Sequence, residues 1–217
     1  MNVSRFVVGV FALVWSALAL AEVGAYASRA AALKDLTASE PTRRADAVIW
    51  IASNGMPADE AALRKRLSDD NAVVRGLAEQ GVWLLWSRSG DVKVDTLMAK
   101  GVEQAQAGDL DAAIATYSEV IRLKPVFAEG WNKRATVLFM KRDFRHSLAD
   151  CDQVIKRNPN HFGALSGYGQ IYFELEQYDK AIGYWKRALK ANPNLDGLET
   201  NIEIAEKLIA DKRRNMI

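Results

Sequence analysis

Apolar and small residues recur along the chain with a fixed period, which three prolines mark. Pro125, Pro159 and Pro193 fall 34 residues apart, and the segments between them repeat one pattern of small and large apolar positions. Within each segment the apolar spacing is that of an amphipathic helix. A period of this length is typical of proteins in which helical hairpins stack side by side. The pattern therefore predicts three hairpins between residues 94 and 195.

Each hairpin is expected to consist of two helices closed by a proline. We predict first helices over 95–107, 128–140 and 162–175, and second helices over 110–123, 144–157 and 178–191. Small residues align where the two helices would cross closely: Gly101, Ala135 and Gly169 in the first helices, and Ala113, Ser147 and Ala181 in the second. Large residues align at the matching positions of the second helix: Tyr117, Cys151 and Trp185. Cys151 is therefore interpreted as a buried packing thiol.

Residues 28–91 carry the same helical spacing without the 34-residue period. We predict two shorter helix pairs here, with helices over 28–36, 42–53, 58–67 and 72–87. Asp69, Asp70 and Asn71 precede the last of these helices, where we favour helix capping over metal binding. Three tryptophans at helical spacing are interpreted as core between hairpins, with an aromatic pocket as the alternative: Trp50, Trp83 and Trp86.

The repeating segment resembles a known family. The run A-G-D-L-D-A-A-I-A-T-Y-S-E-V-I-R-L-K-P, from Ala107 to Pro125, resembles the tetratricopeptide repeat. The resemblance implies an all-α, right-handed solenoid with repeats over 94–127, 128–161 and 162–195, followed by a capping helix over 196–214. The stretches W-N-K-R-A-T (131–136) and H-F-G-A-L-S-G (161–167) resemble exported bacterial members of the family. In the N-terminal half, L-S-D-D-N-A-V-V-R-G-L-A (67–78) resembles the inner part of a HEAT repeat.

The resemblance also implies where a partner binds. In tetratricopeptide arrays the first helices line a concave groove, so their outward positions are the candidate partner-binding residues. These positions are Met98, Val102, Glu129, Asn132, Thr136, Met140, Gly163, Ser166, Gln170 and Phe173. Hydrogen-bonding and apolar side chains are mixed among them, which favours an extended peptide or a helix of a partner protein. Some members of the family hold a C-terminal carboxylate in a clamp of Lys and Asn, but the first-repeat positions here are the apolar Met98 and Val102.

The first 21 residues predict a location. Arg5 precedes an apolar run over 6–20 that ends in small residues, which is typical of a secretory signal peptide cleaved before Glu22. The run is short for a bilayer span of about 20 residues. We therefore expect an exported, periplasm-like location. An uncleaved N-terminal membrane anchor is the alternative, and only that case predicts membrane tethering.

Catalytic chemistry has little support in the sequence. The two histidines, His146 and His161, lie in no motif with a nucleophile or a metal-ligand spacing. The net charge of +2 does not favour nucleic-acid binding. We expect no cofactor, no metal and no small-molecule substrate. The sequence favours a non-catalytic, protein-binding scaffold. The alternative is a structural subunit that assembles through its Trp-rich N-terminal hairpins, and an enzyme or metal carrier ranks third.

Overall fold

The structure is a computed structural model that describes residues 26–215, and the predicted signal segment over 1–21 lies outside them. The described residues form eleven α-helices. In chain order they are α1 (Arg29–Asp35), α2 (Pro41–Asn54), α3 (Glu60–Lys65), α4 (Ala72–Ser87), α5 (Val92–Gln106), α6 (Leu110–Leu123), α7 (Ala128–Met140), α8 (Phe144–Arg157), α9 (Phe162–Glu174), α10 (Tyr178–Ala191) and α11 (Leu198–Arg214). None of these helices is long and apolar enough to cross a membrane.

The helices of the repeating segment follow the predicted boundaries closely. Four of them, α6, α7, α8 and α10, begin and end at the predicted residues. Helix α5 begins three residues early, at Val92, because the Asp91 carboxylate caps it by accepting hydrogen bonds from the amides of Lys93 and Val94. Helix α11 begins late, at Leu198, because Gly197 before it has a φ of 80° that interrupts the helix.

The predicted helix over 58–67 is wrong as a single element. The structure divides it into a 3₁₀ turn (Pro57–Asp59), the six-residue helix α3 and a second 3₁₀ turn (Arg66–Ser68). The Asp59 carboxylate accepts a hydrogen bond from the Met56 amide and binds the Arg29 guanidinium, which fixes the first turn. Sequence spacing did not reveal this division, because a 3₁₀ turn and an α-helix share the same apolar positions over so short a stretch.

Small residues allow the helices of each hairpin to cross closely, as predicted. A Cβ atom at Gly101 of α5 would lie 2.6 Å from the Tyr117 ring of α6, and one at Gly169 of α9 would collide with the Trp185 ring of α10. Both rings are almost fully buried. The aligned small and large positions therefore form complementary pairs that fix how each hairpin closes.

Cys151 occupies the corresponding position in the second hairpin. The residue is 3% exposed and packs with Ala135, Tyr168 and Ile171. Burial raises the pKa of the Cys151 thiol to about 12, and the neighbouring carboxylates of α8 act in the same direction. The interpretation of Cys151 as a buried packing thiol is confirmed.

The N-terminal helices form a core of their own, with α2 and α4 packed against each other and α3 against α4. Arg44 of α2 is buried and binds the Asp69 carboxylate through two hydrogen bonds of 2.9 and 2.7 Å. The Asn71 side chain caps α4 by accepting from the amides of Val73 and Val74. The capping interpretation is thus confirmed for Asn71, whereas Asp69 ties the two helix pairs together.

Candidate partner-binding groove

The first helices of the hairpins form the floor of the candidate groove. Helix α7 contacts α9 directly, and α6 and α8 each contact the first helix before and the first helix after them in the chain. The predicted positions on α7 and α9 recur every three or four residues, so each set forms one stripe along its helix. Those stripes give the array one continuous surface on which a partner could lie.

The predicted groove residues differ in exposure. Three are buried and offer no surface to a partner: Met98, Glu129 and Asn132. Three are exposed: Val102, Thr136 and Met140. The other four are partly exposed: Gly163, Ser166, Gln170 and Phe173. The Phe173 ring lies 5.6 Å from Trp185 and 5.3 Å from Tyr178, so its main role is packing within the third hairpin.

Glu129 is buried because it belongs to a polar cluster at the start of α7. Its carboxylate accepts hydrogen bonds from Asn132 Nδ2 and from His161 Nε2, both at 3.1 Å, and lies 3.3 Å from Lys133 Nζ. Burial alone opposes ionisation. The Lys133 ammonium and the hydrogen bond from His161 outweigh it, so that the pKa of Glu129 lies below its ordinary value.

His161 links this cluster to the next first helix. The residue is fully buried, and its Nδ1 accepts a hydrogen bond from the Ala164 amide, which caps α9. Because Nδ1 accepts, the ring proton lies on Nε2 and is donated to Glu129. His161 therefore fixes the start of α9 relative to the start of α7. No sequence motif indicated this role, although the residue directly precedes a predicted helix, where capping side chains are common.

The tryptophans of α4 cover this cluster. The Trp86 ring stacks on His161 with centroids 4.2 Å apart, and it lies 4.7 Å from the Phe162 ring. Trp83 lies 5.1 Å from Phe162. Phe162 is fully buried and belongs to the core of the N-terminal helices although it lies in the third hairpin. The interpretation of the tryptophans as core residues is confirmed, and the core against which they pack includes Phe162 of the third hairpin.

Helix α4 consequently runs along the turns that join one hairpin to the next. Lys124, in the first of these turns, donates from Nζ to the Ser89 carbonyl just after α4. Asn194, in the last turn, accepts from Arg75 Nε at 3.1 Å and donates to the Leu67 carbonyl at 2.7 Å. The His161 contact lies between these two. The N-terminal helices and the repeats are thereby joined along one edge of the array.

At the middle of this edge α4 reaches the groove itself. The Trp83 ring lies against Gly163, one of the predicted groove positions, and a Cβ atom there would collide with it. The glycine is therefore required for the approach of α4. The contact closes the groove at the start of α9, while Gly167, one turn further along α9, faces open space.

Residues 26–215 contain no cluster of three or more His, Cys, Asp or Glu side chains that could hold a metal ion. His146 Nδ1 lies 2.7 Å from the carboxylate of Asp143, the cap of its own helix, and Asp150 binds the Arg134 guanidinium at 2.7 and 2.8 Å. Each of these side chains is thus accounted for by helix capping and packing.

Comparison with known sequences identifies the family of the repeats. Family models described as tetratricopeptide repeat match residues 98–145 and 162–195. A TPR repeat-containing protein of Rhizobium etli is 32% identical over 130 residues, which cover 59% of this chain and 64% of that protein. Hsp70-Hsp90 organizing protein 1 of Glycine max is 26% identical over 117 residues, 52% of this chain and 20% of that protein. The chain thus spans less than two thirds of the length of either relative.

Solved structures agree at the level of the fold. The first TPR domain of Spaghetti (RPAP3), bound to the HSP90 peptide SRMEEVD, has a TM-score of 0.53 at 24% identity and covers 54% of this chain and 94% of that domain. The Sgt2 TPR domain of Aspergillus fumigatus has a TM-score of 0.54 at 18% identity, covering 57% and 83%. The two family-model matches show that the chain carries tetratricopeptide repeats, and these solved structures share the fold of its repeating segment.

Proposed function

We propose that this protein is a non-catalytic adaptor that binds a peptide segment of a partner protein in the groove of its first helices. The observation that carries the proposal is a set of accessible positions on one face of α7 and α9. Thr136 and Met140 are exposed and Gln170 is partly exposed, although they lie in a well-packed array. Their side chains provide hydroxyl, thioether and amide groups, which suit a peptide backbone and apolar side chains.

The relatives support a peptide as the class of partner. The Spaghetti domain is described as bound to an HSP90 peptide, and the TPR2B domain of yeast Sti1 as a pHsp70 complex. The chemistry of the ligand is expected to differ here. Met98 is buried and apolar, Val102 is apolar, and Gly163 is covered by Trp83. A clamp of Lys and Asn for a C-terminal carboxylate has no counterpart at these positions.

We also propose that the protein is exported, and this part of the proposal rests on the sequence of residues 1–21 alone. A basic residue, an apolar run and small residues in that order favour export to a periplasm-like compartment. If the segment stays uncleaved, the adaptor is tethered to the membrane by its N-terminus. Sequencing the N-terminus of the mature protein distinguishes the two cases.

Assembly through the N-terminal tryptophans, the alternative function, loses its main support. Trp83 and Trp86 pack against His161 and Phe162 of the same chain. Trp50 lies partly buried with its ring 6.1 Å from that of Tyr26. These aromatic groups are used within one molecule, so the groove is the better candidate for partner binding.

A pulldown with chemical crosslinking tests the groove. We expect the double variant Thr136→Arg/Gln170→Arg to lose specific partners that the wild type captures, because two long cations would fill the floor between α7 and α9. The matched control is Ala115→Arg/Ala149→Arg, which adds the same charge at exposed positions of the second helices. The control should capture the same partners as the wild type. An unchanged partner set for the groove variant, with its helical content intact, would contradict the proposed function.

A further inference from the structure

The outer face of α10 is rich in cations. The buried residues of this helix are Ala181, Ile182, Trp185 and Ala188. Its exposed residues lie on the other side, within about 120° of one another around the helix axis: Asp179, Lys180, Gly183, Lys186, Arg187 and Lys190. Four of these six residues are cations. The one carboxylate, Asp179, lies in the first turn, where it suits the positive end of the helix dipole.

Few carboxylates balance these cations. Glu206 of α11 lies 3.6 Å from Lys186 Nζ. In the described part of the chain no carboxylate forms an ion pair with Arg187 or Lys190. Lys156 of α8 occupies the position of the preceding hairpin that aligns with Lys190, and it is likewise exposed and without an ion pair among the described residues. The outer face of α10 and the adjacent Lys156 therefore carry an excess of positive charge.

An aromatic stack holds one of these cations in place. The Arg187 guanidinium lies over the Tyr184 ring, 5.0 Å from its centroid. Tyr184 stacks in turn on the buried Tyr168, with ring centroids 4.3 Å apart. The Tyr168 hydroxyl donates to the Asp152 carboxylate of α8, which ties the stack to the preceding hairpin. Because Arg187 is held before a partner arrives, it loses little conformational freedom on binding an anion.

The chemistry of this face fits an acidic protein segment better than a membrane or a nucleic acid. Among the described residues no large apolar side chain of α10 is exposed, so the helix has no group to insert into a bilayer. The Tyr172 ring is covered by Lys180 Nζ, 5.1 Å from its centroid, so a base cannot stack there. A carboxylate, by contrast, already lies beside Lys186 within the chain. Gly183, in the centre of the face, has open space that lets a backbone approach.

We propose that the outer face of α10, together with Lys156 of α8, binds an acidic segment of a second partner protein. The proposal rests on the adaptor function above and extends it. The groove lies on the first helices and takes one partner, whereas this face lies on second helices and takes another. The protein can then hold two partners at once. The segment binds best when its carboxylates are spaced to meet Lys186, Arg187 and Lys190 on neighbouring turns.

Fluorescence anisotropy with a labelled dodecapeptide of alternating Glu and Gly tests the charge complementarity. We expect the wild type to bind it at low salt, and more weakly as the salt concentration rises. Arg187→Glu/Lys190→Glu should weaken binding by more than about tenfold, and Arg187→Gln/Lys190→Gln by less. The matched control, Lys65→Glu/Lys100→Glu, changes the net charge equally at exposed positions of α3 and α5 and should bind as the wild type does. Absence of wild-type binding, equal weakening by the control, or tighter binding of a thymidine oligonucleotide or of phosphatidylglycerol vesicles overturns the proposal.

The second surface and the groove are tested separately. In the crosslinking pulldown we expect Arg187→Glu/Lys190→Glu, with its helical content intact, to keep the partners that Thr136→Arg/Gln170→Arg loses. If it keeps them and still binds the acidic peptide as tightly as the wild type, the second surface is contradicted and the groove function stands. If the groove variant keeps every partner while the α10 variant loses the peptide, the groove function is contradicted and the second surface stands.

Discussion

Replacing Trp86 with alanine is expected to lower the free energy of unfolding by about 3 to 5 kcal/mol, the cost of deleting a large aromatic ring from a core. The ring lies against both His161 and Phe162, so its loss opens a cavity between the N-terminal helices and the repeats. Urea unfolding followed by far-ultraviolet circular dichroism and by tryptophan fluorescence measures the change. We also expect the two signals to coincide in the wild type and to separate in the variant, because the two halves are then uncoupled.

The matched control is Trp86→Phe. The indole Nε1 of Trp86 is buried and has no hydrogen-bond partner among the described residues. Phenylalanine keeps most of the stacking on His161 and removes no hydrogen bond, so we expect it to cost less than about 1.5 kcal/mol. An alanine variant as stable as the phenylalanine variant would contradict the packing of α4 on the repeats.

His161→Ala is expected to cost about 3 kcal/mol, from a hydrogen bond to a charged group at about 1.5 to 3 kcal/mol and a helix cap at about 1 kcal/mol. The substitution leaves the buried Glu129 carboxylate with one donor fewer and α9 without its cap. The control is His161→Asn, which can cap α9 but is too short to reach Glu129. We expect it to recover about 1 kcal/mol, the worth of the cap. Equal stability of the wild type and both variants would contradict the cluster.

The effect of His161→Ala on stability is expected to depend on pH. The pKa of Glu129 is lower in the folded than in the unfolded protein, so its contribution to stability is complete above the unfolded value of about 4.3 and is lost as the pH falls through the folded value. Without His161 one of the groups that lower this pKa is gone. The folded pKa of Glu129 then lies closer to the unfolded value, so we expect His161→Ala to lose less stability than the wild type as the pH falls through the acid range, as read from urea midpoints.

The repeats could be predicted from the sequence because their contacts are local. Gly101 and Tyr117 lie only 16 positions apart, and their aligned counterparts recur in each hairpin. A period of this kind records which residues touch inside a hairpin and between adjacent hairpins. The boundaries of most helices followed from it. Where local signals were weaker, as at the 3₁₀ turns around α3, the prediction was wrong.

The contact between α4 and the repeats could not be predicted in the same way. Trp83 and Gly163 are 80 positions apart, and α4 lies outside the period, so no alignment of repeats relates them. The family resemblance implied an open groove along all three first helices. The structure instead has Glu129 buried in a polar cluster and Gly163 covered by a ring. Only the exposed part of the predicted site, including Thr136 and Met140, stays available as predicted.

The most direct test of the account is the contact between Trp83 and Gly163, because it joins α4 to the floor of the groove. We predict nuclear Overhauser effects between the Trp83 ring protons and the Gly163 α-protons, together with a ring-current shift of those α-protons that disappears in Trp83→Leu. Contacts between the Gly169 α-protons and Trp185 serve as the control. If these contacts are seen and those between Trp83 and Gly163 are not, the packing of α4 against the groove floor is contradicted. In that case α4 would not pack against the start of α9.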